Sequence, residues 1–191
     1  MDCGKEEIMK KIISLFKRNY EGDRQIINEI VEGAEWVVTG EGIATRKFDG
    51  TACAIINNKF YKRYDVKKGK NIPLDAIPCQ EPDLITGHHP HWVLIGNGSE
   101  DKYFREALKG NEPDGTYELC GEKINNNSEG FTGHHLIPHG KEIITDVPRT
   151  FDELKEWFRD KNIEGIVWWH PDGRMVKIKK KDFGLKRTDL Y

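Results

Sequence analysis

From Glu35 onward the sequence is broken into short β-type runs, and this punctuation limits the fold more than any other feature. Glu35–Val38, Ile43–Arg46, Thr51–Ile56 and Lys59–Tyr64 follow one another with Gly, Asn or Asp between them. Strands this short are stable only when paired in sheets. Asn57-Asn58 between two runs predicts a tight hairpin turn. Further strands are expected at Gly115–Cys120, Gly165–Trp169 and Met175–Ile178, the last two joined by the turn His170-Pro-Asp-Gly173. Helices are fewer. Ile8, Ile12, Leu15 and Phe16 form an apolar stripe over Lys5–Arg18. Glu100–Lys109 ends at Gly110, and Thr150 with Glu153 reads as a capping box opening a helix with Phe151, Leu154, Trp157 and Phe158 on one face. Residues 71–99 are dotted with Pro and Gly and are expected to form functional loops. No internal repeat or linker interrupts the 191 residues. The expectation is an α+β class, with a helical segment over residues 1–34 packed on one domain over residues 35–191.

Composition narrows the functional classes. With 37% hydrophobic residues the chain has the apolar mass of a folded protein. No run of 18 apolar residues exists to span a membrane. The acidic start MDCGKEEIMKKII lacks a small-residue cleavage site, so a cytoplasmic location is expected. Cys3, Cys53, Cys79 and Cys120 form no CxxC pair and suit reduced thiols. The net charge of −2 conceals an uneven distribution. Arg174–Arg187 carries seven cations and one acid, leaving a remainder of −8. A second basic stretch, Tyr61–Lys70, holds five cations and one acid. Tyr61, Tyr64 and Phe183 interleave with these charges, as a polyphosphate or nucleic-acid partner would want.

The sharpest chemical feature is Ala44-Thr-Arg-Lys-Phe-Asp-Gly-Thr51, with Lys47-x-Asp49-Gly50 between two expected strands. A lysine amine becomes a nucleophile when desolvation or neighbouring cations favour its neutral form, and Arg46 is adjacent. Glu118 lies in an otherwise apolar strand, and Glu164 stands at the start of another. Lys177 and Lys179 share a strand face, because strand side chains alternate with period two.

Together these segments resemble the covalent nucleotidyltransferase superfamily of ATP-dependent ligases and capping enzymes, with the strongest resemblance to the small 5′-to-3′ RNA ligases. The similarity runs from about Glu35 to Leu185. It includes Tyr64-Asp-Val-Lys-Lys-Gly69, Ile77-Pro-Cys-Gln-Glu-Pro-Asp83, Tyr117-Glu-Leu-Cys-Gly121, Leu136-Ile-Pro-His-Gly140, Glu164-Gly-Ile-Val-Trp168 and Lys179-Lys-Lys-Asp-Phe-Gly184.

The resemblance implies an adenylyltransferase domain of antiparallel sheets flanked by helices. It also implies an ATP-dependent RNA ligase, acting on RNA 5′-phosphate and 3′-hydroxyl ends with no obligate protein partner. Lys47 would be the nucleophile that forms lysyl-AMP, with Lys177 and Lys179 on the α-phosphate. Asp49, Glu118 and Glu164 would hold Mg²⁺ or Mn²⁺. Backbone around Thr45 and Arg46 would read adenine, and Arg63 would lie near the ribose or phosphates. Many relatives stack an aromatic ring on the adenine from the stretch matching Leu136–Gly140, which here offers Ile137 or His139. Lys180, Lys181, Lys186 and Arg187 are candidates for the RNA backbone. Twelve residues follow Lys179 in this chain, too few for the OB-fold of DNA ligases and capping enzymes. The alternatives are another covalent nucleotidyltransferase (DNA ligase or capping guanylyltransferase) or a non-catalytic RNA-end or nucleotide-binding protein.

Two histidine groups, His88/His89/His91 and His134/His135/His139, have zinc-like spacing. Pro138 inside the second group and Gly133 and Gly140 around it oppose a helical ligand pair, and no cysteine stands at ligand spacing. Loop or core roles are expected for both.

Overall fold

The computed structural model describes residues 12–83 and 87–187. In chain order these form β1 (Ile13–Ser14), β2 (Phe16–Arg18), β3 (Ile26–Ile30), α1 (Glu35–Val38), β4 (Ile43–Lys47), β5 (Thr51–Ile56) and β6 (Lys59–Val66). Then come β7 (Ile77–Pro78), β8 (His89–Leu94), α2 (Lys102–Ala107), β9 (Gly115–Gly121), β10 (His134–Pro138), α3 (Phe151–Trp157), β11 (Gly165–Trp169) and β12 (Met175–Lys179). The α+β class agrees with expectation, since mostly antiparallel sheets are accompanied by few helices. The described residues fall into two compact units, one of residues 50–138 and one of residues 12–49 with 139–187.

In the second of these units the sheet order is β1-β12-β11-β4, with β11 antiparallel to both of its neighbours. Strand alternation separates two faces. Ile166, Trp168, Val176 and Ile178, all fully buried, point into a core with Leu15, Phe16, Leu154, Phe158 and Phe183. The opposite face carries Lys47, Lys177 and Lys179. At Gly165 the strands approach so closely that a Cβ would stand 2.2 Å from the Ile178 carbonyl oxygen, so no side chain fits there.

Three local expectations fail in this unit. The helix expected over Lys5–Arg18 is not seen in its described part, and Lys5–Lys11 lie outside the described residues. Ile13–Ser14 and Phe16–Arg18 are strands, because Ile13 and Ser14 pair in parallel with Val176 and Lys177, and Leu15 N–H donates to Lys177 O. Sheet docking buries Leu15 and Phe16 as well as a helical stripe would, so periodicity could not decide. Glu35–Val38 is a helical turn rather than a strand, with Trp36 and Val37 buried. Thr150 does precede α3, but its hydroxyl donates to the Glu153 carboxylate at 2.6 Å and makes no bond to backbone N–H, so the capping box is not formed.

The unit of residues 50–138 is a six-stranded antiparallel sheet of order β10-β9-β5-β6-β8-β7. One face, with Cys53, Ile55, Phe60, Tyr117 and Leu119, packs under Phe104 and Ala107 of α2. The other clusters Ala54, Tyr61, Cys79 and Trp92. The hairpin turn falls on Asn57 and Asn58, at φ 51° and 58°, as the dipeptide foretold. Asp114 accepts both of their N–H groups, at 2.6 and 3.1 Å. The region 71–99, expected as loops, includes strands β7 and β8; Trp92 of β8 is buried opposite Ile77.

Candidate functional site

Register in the four-stranded sheet brings three chemistry-bearing residues together. Gly165 is opposite Lys47 on one side and Lys179 on the other, so Glu164, just before β11, lies between the ends of two lysine-bearing strands. Lys47 Nζ donates to Glu164 Oε2 at 2.6 Å, and Lys179 Nζ pairs with Glu164 Oε1 at 2.9 Å. The Glu164 side chain is only 10% exposed, against 20% and 22% for the two lysines. One carboxylate thus serves two ammonium groups, and Lys177 adds a further cation on the same strand face. Three cationic side chains gathered on one partly buried face suit a polyanionic ligand.

The residues flanking Lys47 are held by neighbours that sequence reasoning missed. Thr45 Oγ1 donates to Val167 O at 3.1 Å and accepts from Trp169 Nε1 at 2.8 Å. Gly140 packs beneath the Trp169 ring, where a Cβ would come within 3.1 Å of it. Arg46 lies over the Phe48 ring at 4.5 Å and pairs with Glu142 at 3.2 Å. Asp49 and His139 are both half-buried. No local motif marks Trp169 or Glu142, since their roles depend on sheet pairing and on the docked segment after residue 138.

Within the unit of residues 50–138, Glu118 lies on β9, 9% exposed, with Ala52 and Ile137 as its cross-strand neighbours. Its Oε1 accepts the Gly50 N–H at 3.2 Å. On the other side Asn125 Nδ2 donates to Gly50 O at 2.9 Å. A Cβ on Gly50 would meet the Leu119 carbonyl oxygen at 2.2 Å, so only glycine fits. Asn125, Asn126 and Asn127 all adopt left-handed backbone, at φ 47°, 57° and 52°. Three such residues in succession are costly outside glycine, and asparagine tolerates them best. Asparagine side chains suit such turns, but nothing local in the sequence marks the carbonyl that Asn125 reaches. Arg63 Nε donates to Asp65 Oδ1 at 3.1 Å.

The C-terminal basic window does not act as one surface. Lys180, expected to face RNA, is 2% exposed. Its ammonium donates to the Arg159 and Lys161 carbonyls at 3.1 and 2.8 Å, and burial moves its pKa below the ordinary lysine value. It closes the chain end after α3. Arg187 bonds to Asn162, while Lys181 and Lys186 are exposed.

Three of these histidines make local contacts. His134 stacks on Tyr103 at 4.4 Å and pairs with Glu106 at 3.0 Å; His135 bonds to Thr132 O at 2.8 Å; buried His91 bonds to His89 O at 2.8 Å. Among the described residues no three His, Cys, Asp or Glu side chains gather as a ready metal site. Cys53, Cys79 and Cys120 are buried thiols in no disulfide; burial pushes the Cys53 thiol well above its ordinary range and Cys79 to about 12. Among the described residues no helix is long and apolar enough to cross a membrane.

Comparison with known proteins adds an independent line. Residues 108–190 match the family described as RNA ligase 1, a stretch that contains Glu118, Glu164, Lys177 and Lys179. The chain is 26% identical to RNA ligase 1 of Mus musculus, over 75% of this chain and 67% of that protein. The same figures hold for RNA ligase 1 of Rattus norvegicus. A shorter similarity, 36% identical, covers 37% of this chain and 25% of RNA ligase 1 of Danio rerio. The chain is thus similar to RNA ligases over these stretches.

Proposed function

We propose that the protein is an ATP-dependent RNA ligase working through a lysyl-AMP intermediate on Lys47. The observation that carries this reading is the placement of Glu164 between Lys47 and Lys179, on elements that also bring Lys177 to the same face. The similarity to RNA ligases named above supports the choice of RNA as substrate.

The chemistry runs in three displacements at phosphorus. Lys47 Nζ, having lost its proton, attacks the α-phosphorus of ATP; the N–P bond forms as the bond to the pyrophosphate oxygen breaks. An oxygen of the RNA 5′-phosphate then attacks the adenylyl phosphorus, and the P–N bond breaks to restore the amine. Finally an RNA 3′-hydroxyl attacks the activated 5′-phosphate, AMP leaves and a phosphodiester remains. In such steps the protein mainly positions groups and offsets charge. Lys177 and Lys179 do so at the α-phosphate. An ammonium held by a carboxylate is not a nucleophile, so Lys47 must leave its pair with Glu164 before attack. A triphosphate arriving at Lys177 and Lys179 competes with Glu164 for the Lys179 ammonium and loosens that cluster.

The backbone at Thr45 and Arg46, fixed by Trp169 and Glu142, is assigned to adenine, with Ile137 or His139 against the base and Arg63 near the ribose or phosphates. Exposed Lys181 and Lys186, with Arg187, remain candidates for RNA. Asp49, Glu118 and Glu164 offer the oxygen donors that Mg²⁺ and Mn²⁺ prefer, and such ions commonly take one or two carboxylates with phosphates and water. Each of these carboxylates is of the type that would hold such a hydrated cation, which would supply charge neutralisation at the phosphates.

End-joining tests the substrate. RNA with 5′-phosphate and 3′-hydroxyl ends should be sealed in the presence of ATP, and the same ends in DNA should be sealed more slowly. Equal or better DNA sealing would overturn the RNA assignment.

A further inference from the structure

Apart from Arg63, the second basic stretch is left unused by the proposed chemistry, and its surroundings are unusual. Lys62 is paired with buried Asp101, and Arg63 with Asp65. Lys67, Lys68 and Lys70 differ: all three are exposed, with no carboxylate partner among the described residues. They occupy one tight turn, closed by Lys70 N–H donating to Lys67 O at 3.0 Å, with Gly69 at φ 77°. Three like charges are thus held within four residues, and the Lys68 stem lies against Gly87. Large apolar side chains flank the turn and are equally uncovered: Tyr64 is 47% exposed, Ile72 54% and Leu74 90%.

Uncompensated cations next to uncovered aromatic and aliphatic groups call for a ligand with both phosphates and flat apolar faces. Single-stranded RNA has both, since its bases are unstacked and available. A duplex presents phosphates but hides its base faces, and an acidic peptide offers no series of flat rings. We propose that Tyr64 and the loop of residues 67–75 form a docking surface for single-stranded RNA. The lysines contact phosphates, and Tyr64 stacks on a base, with Ile72 and Leu74 extending the apolar contact. The choice of RNA rests on the ligase reading above.

Fluorescence anisotropy with a labelled, 5′-phosphorylated oligoribonucleotide of about 16 nucleotides tests the surface. Affinity is measured against salt for the full chain and for the triple variant Lys67→Gln, Lys68→Gln, Lys70→Gln. Neutralising three phosphate contacts should reduce the log–log salt slope by about 2 and weaken binding more than tenfold at low salt. Tyr64→Ala should weaken binding roughly tenfold with the slope kept, and Tyr64→Phe should restore it. Self-adenylation, measured in parallel without RNA, should be unchanged in all of these variants. Unaltered slope and affinity in the triple variant would overturn the proposal and leave the face to a protein partner. Loss of self-adenylation with RNA affinity intact would also overturn it, by moving the lysines to the nucleotide's phosphates. A wild-type chain that binds RNA in this way but takes no adenylate would instead defeat the ligase reading alone.

Discussion

Lys47 Nζ and Glu164 Oε2 are 2.6 Å apart although 117 residues separate them in sequence. The pairing of β4 with β11 creates this contact, and the pairing of β11 with β12 adds Lys179 to the same carboxylate. Glu164→Gln keeps the volume and removes the charge. Self-adenylation should fall by about two orders of magnitude, the scale of losing one preorganised polar group at a reacting phosphorus. Circular dichroism should be unchanged. An active Glu164→Gln enzyme would remove this carboxylate from the chemistry.

Asn125 is a positioning residue for the corner after Lys47-x-Asp49. Asn125→Gly removes the bond to Gly50 O while relieving a left-handed residue. Thermal stability should be equal or higher, and the rate of lysine adenylation should fall about tenfold. A parallel loss of both would assign Asn125 to stability alone.

The core under the site has its own signature. Trp168 is fully buried, and its indole N–H has no hydrogen-bond partner among the described residues. Trp168→Ala should cost about 3–5 kcal/mol through the cavity it leaves. Trp168→Phe removes the orphaned donor together with part of the volume, so the two effects offset and the loss should stay below about 1.5 kcal/mol. Urea midpoints of the two variants check the contrast.

Buried thiols give stability a dependence on alkaline pH. Cys79 keeps its proton in the folded protein to about pH 12 because of burial, whereas an unfolded cysteine loses it near 8.5, roughly. The stabilisation is complete below the unfolded value and is lost as pH rises towards the folded one. Its slope is at most about 1.4 kcal/mol per pH unit per thiol. Urea midpoints should therefore decline from pH 8 to 10 in the wild type, and less steeply in Cys79→Ala. The same burial should leave Cys53, Cys79 and Cys120 unreactive to thiol reagents at pH 8 in a Cys3→Ser background.

Much of the candidate site was legible because its residues sit in strongly local patterns. Period-two alternation placed Lys177 and Lys179 on one face, and the apolar strand around Glu118 singled that carboxylate out. Strand register was not legible. Nothing in the local sequence says that Gly165 faces both lysines, because register follows from which apolar faces close on the core. The first strands and α1 were misread for a related reason: runs of a few apolar residues bury equally well in either conformation, and tertiary packing decides. Lys180 shows the same limit for charge. A basic run looks like one surface in sequence, whereas the chain turns after β12 and folds one ammonium back onto two carbonyls.

Self-adenylation tests the central claim most directly. The full chain is incubated with α-labelled ATP and Mg²⁺ or Mn²⁺, denatured and resolved by electrophoresis. Covalent label should appear on the wild-type protein, be released by pyrophosphate and be absent from Lys47→Ala. Label from GTP alone would redirect the chemistry to capping, and a wild-type protein that takes no label from any nucleoside triphosphate would contradict it.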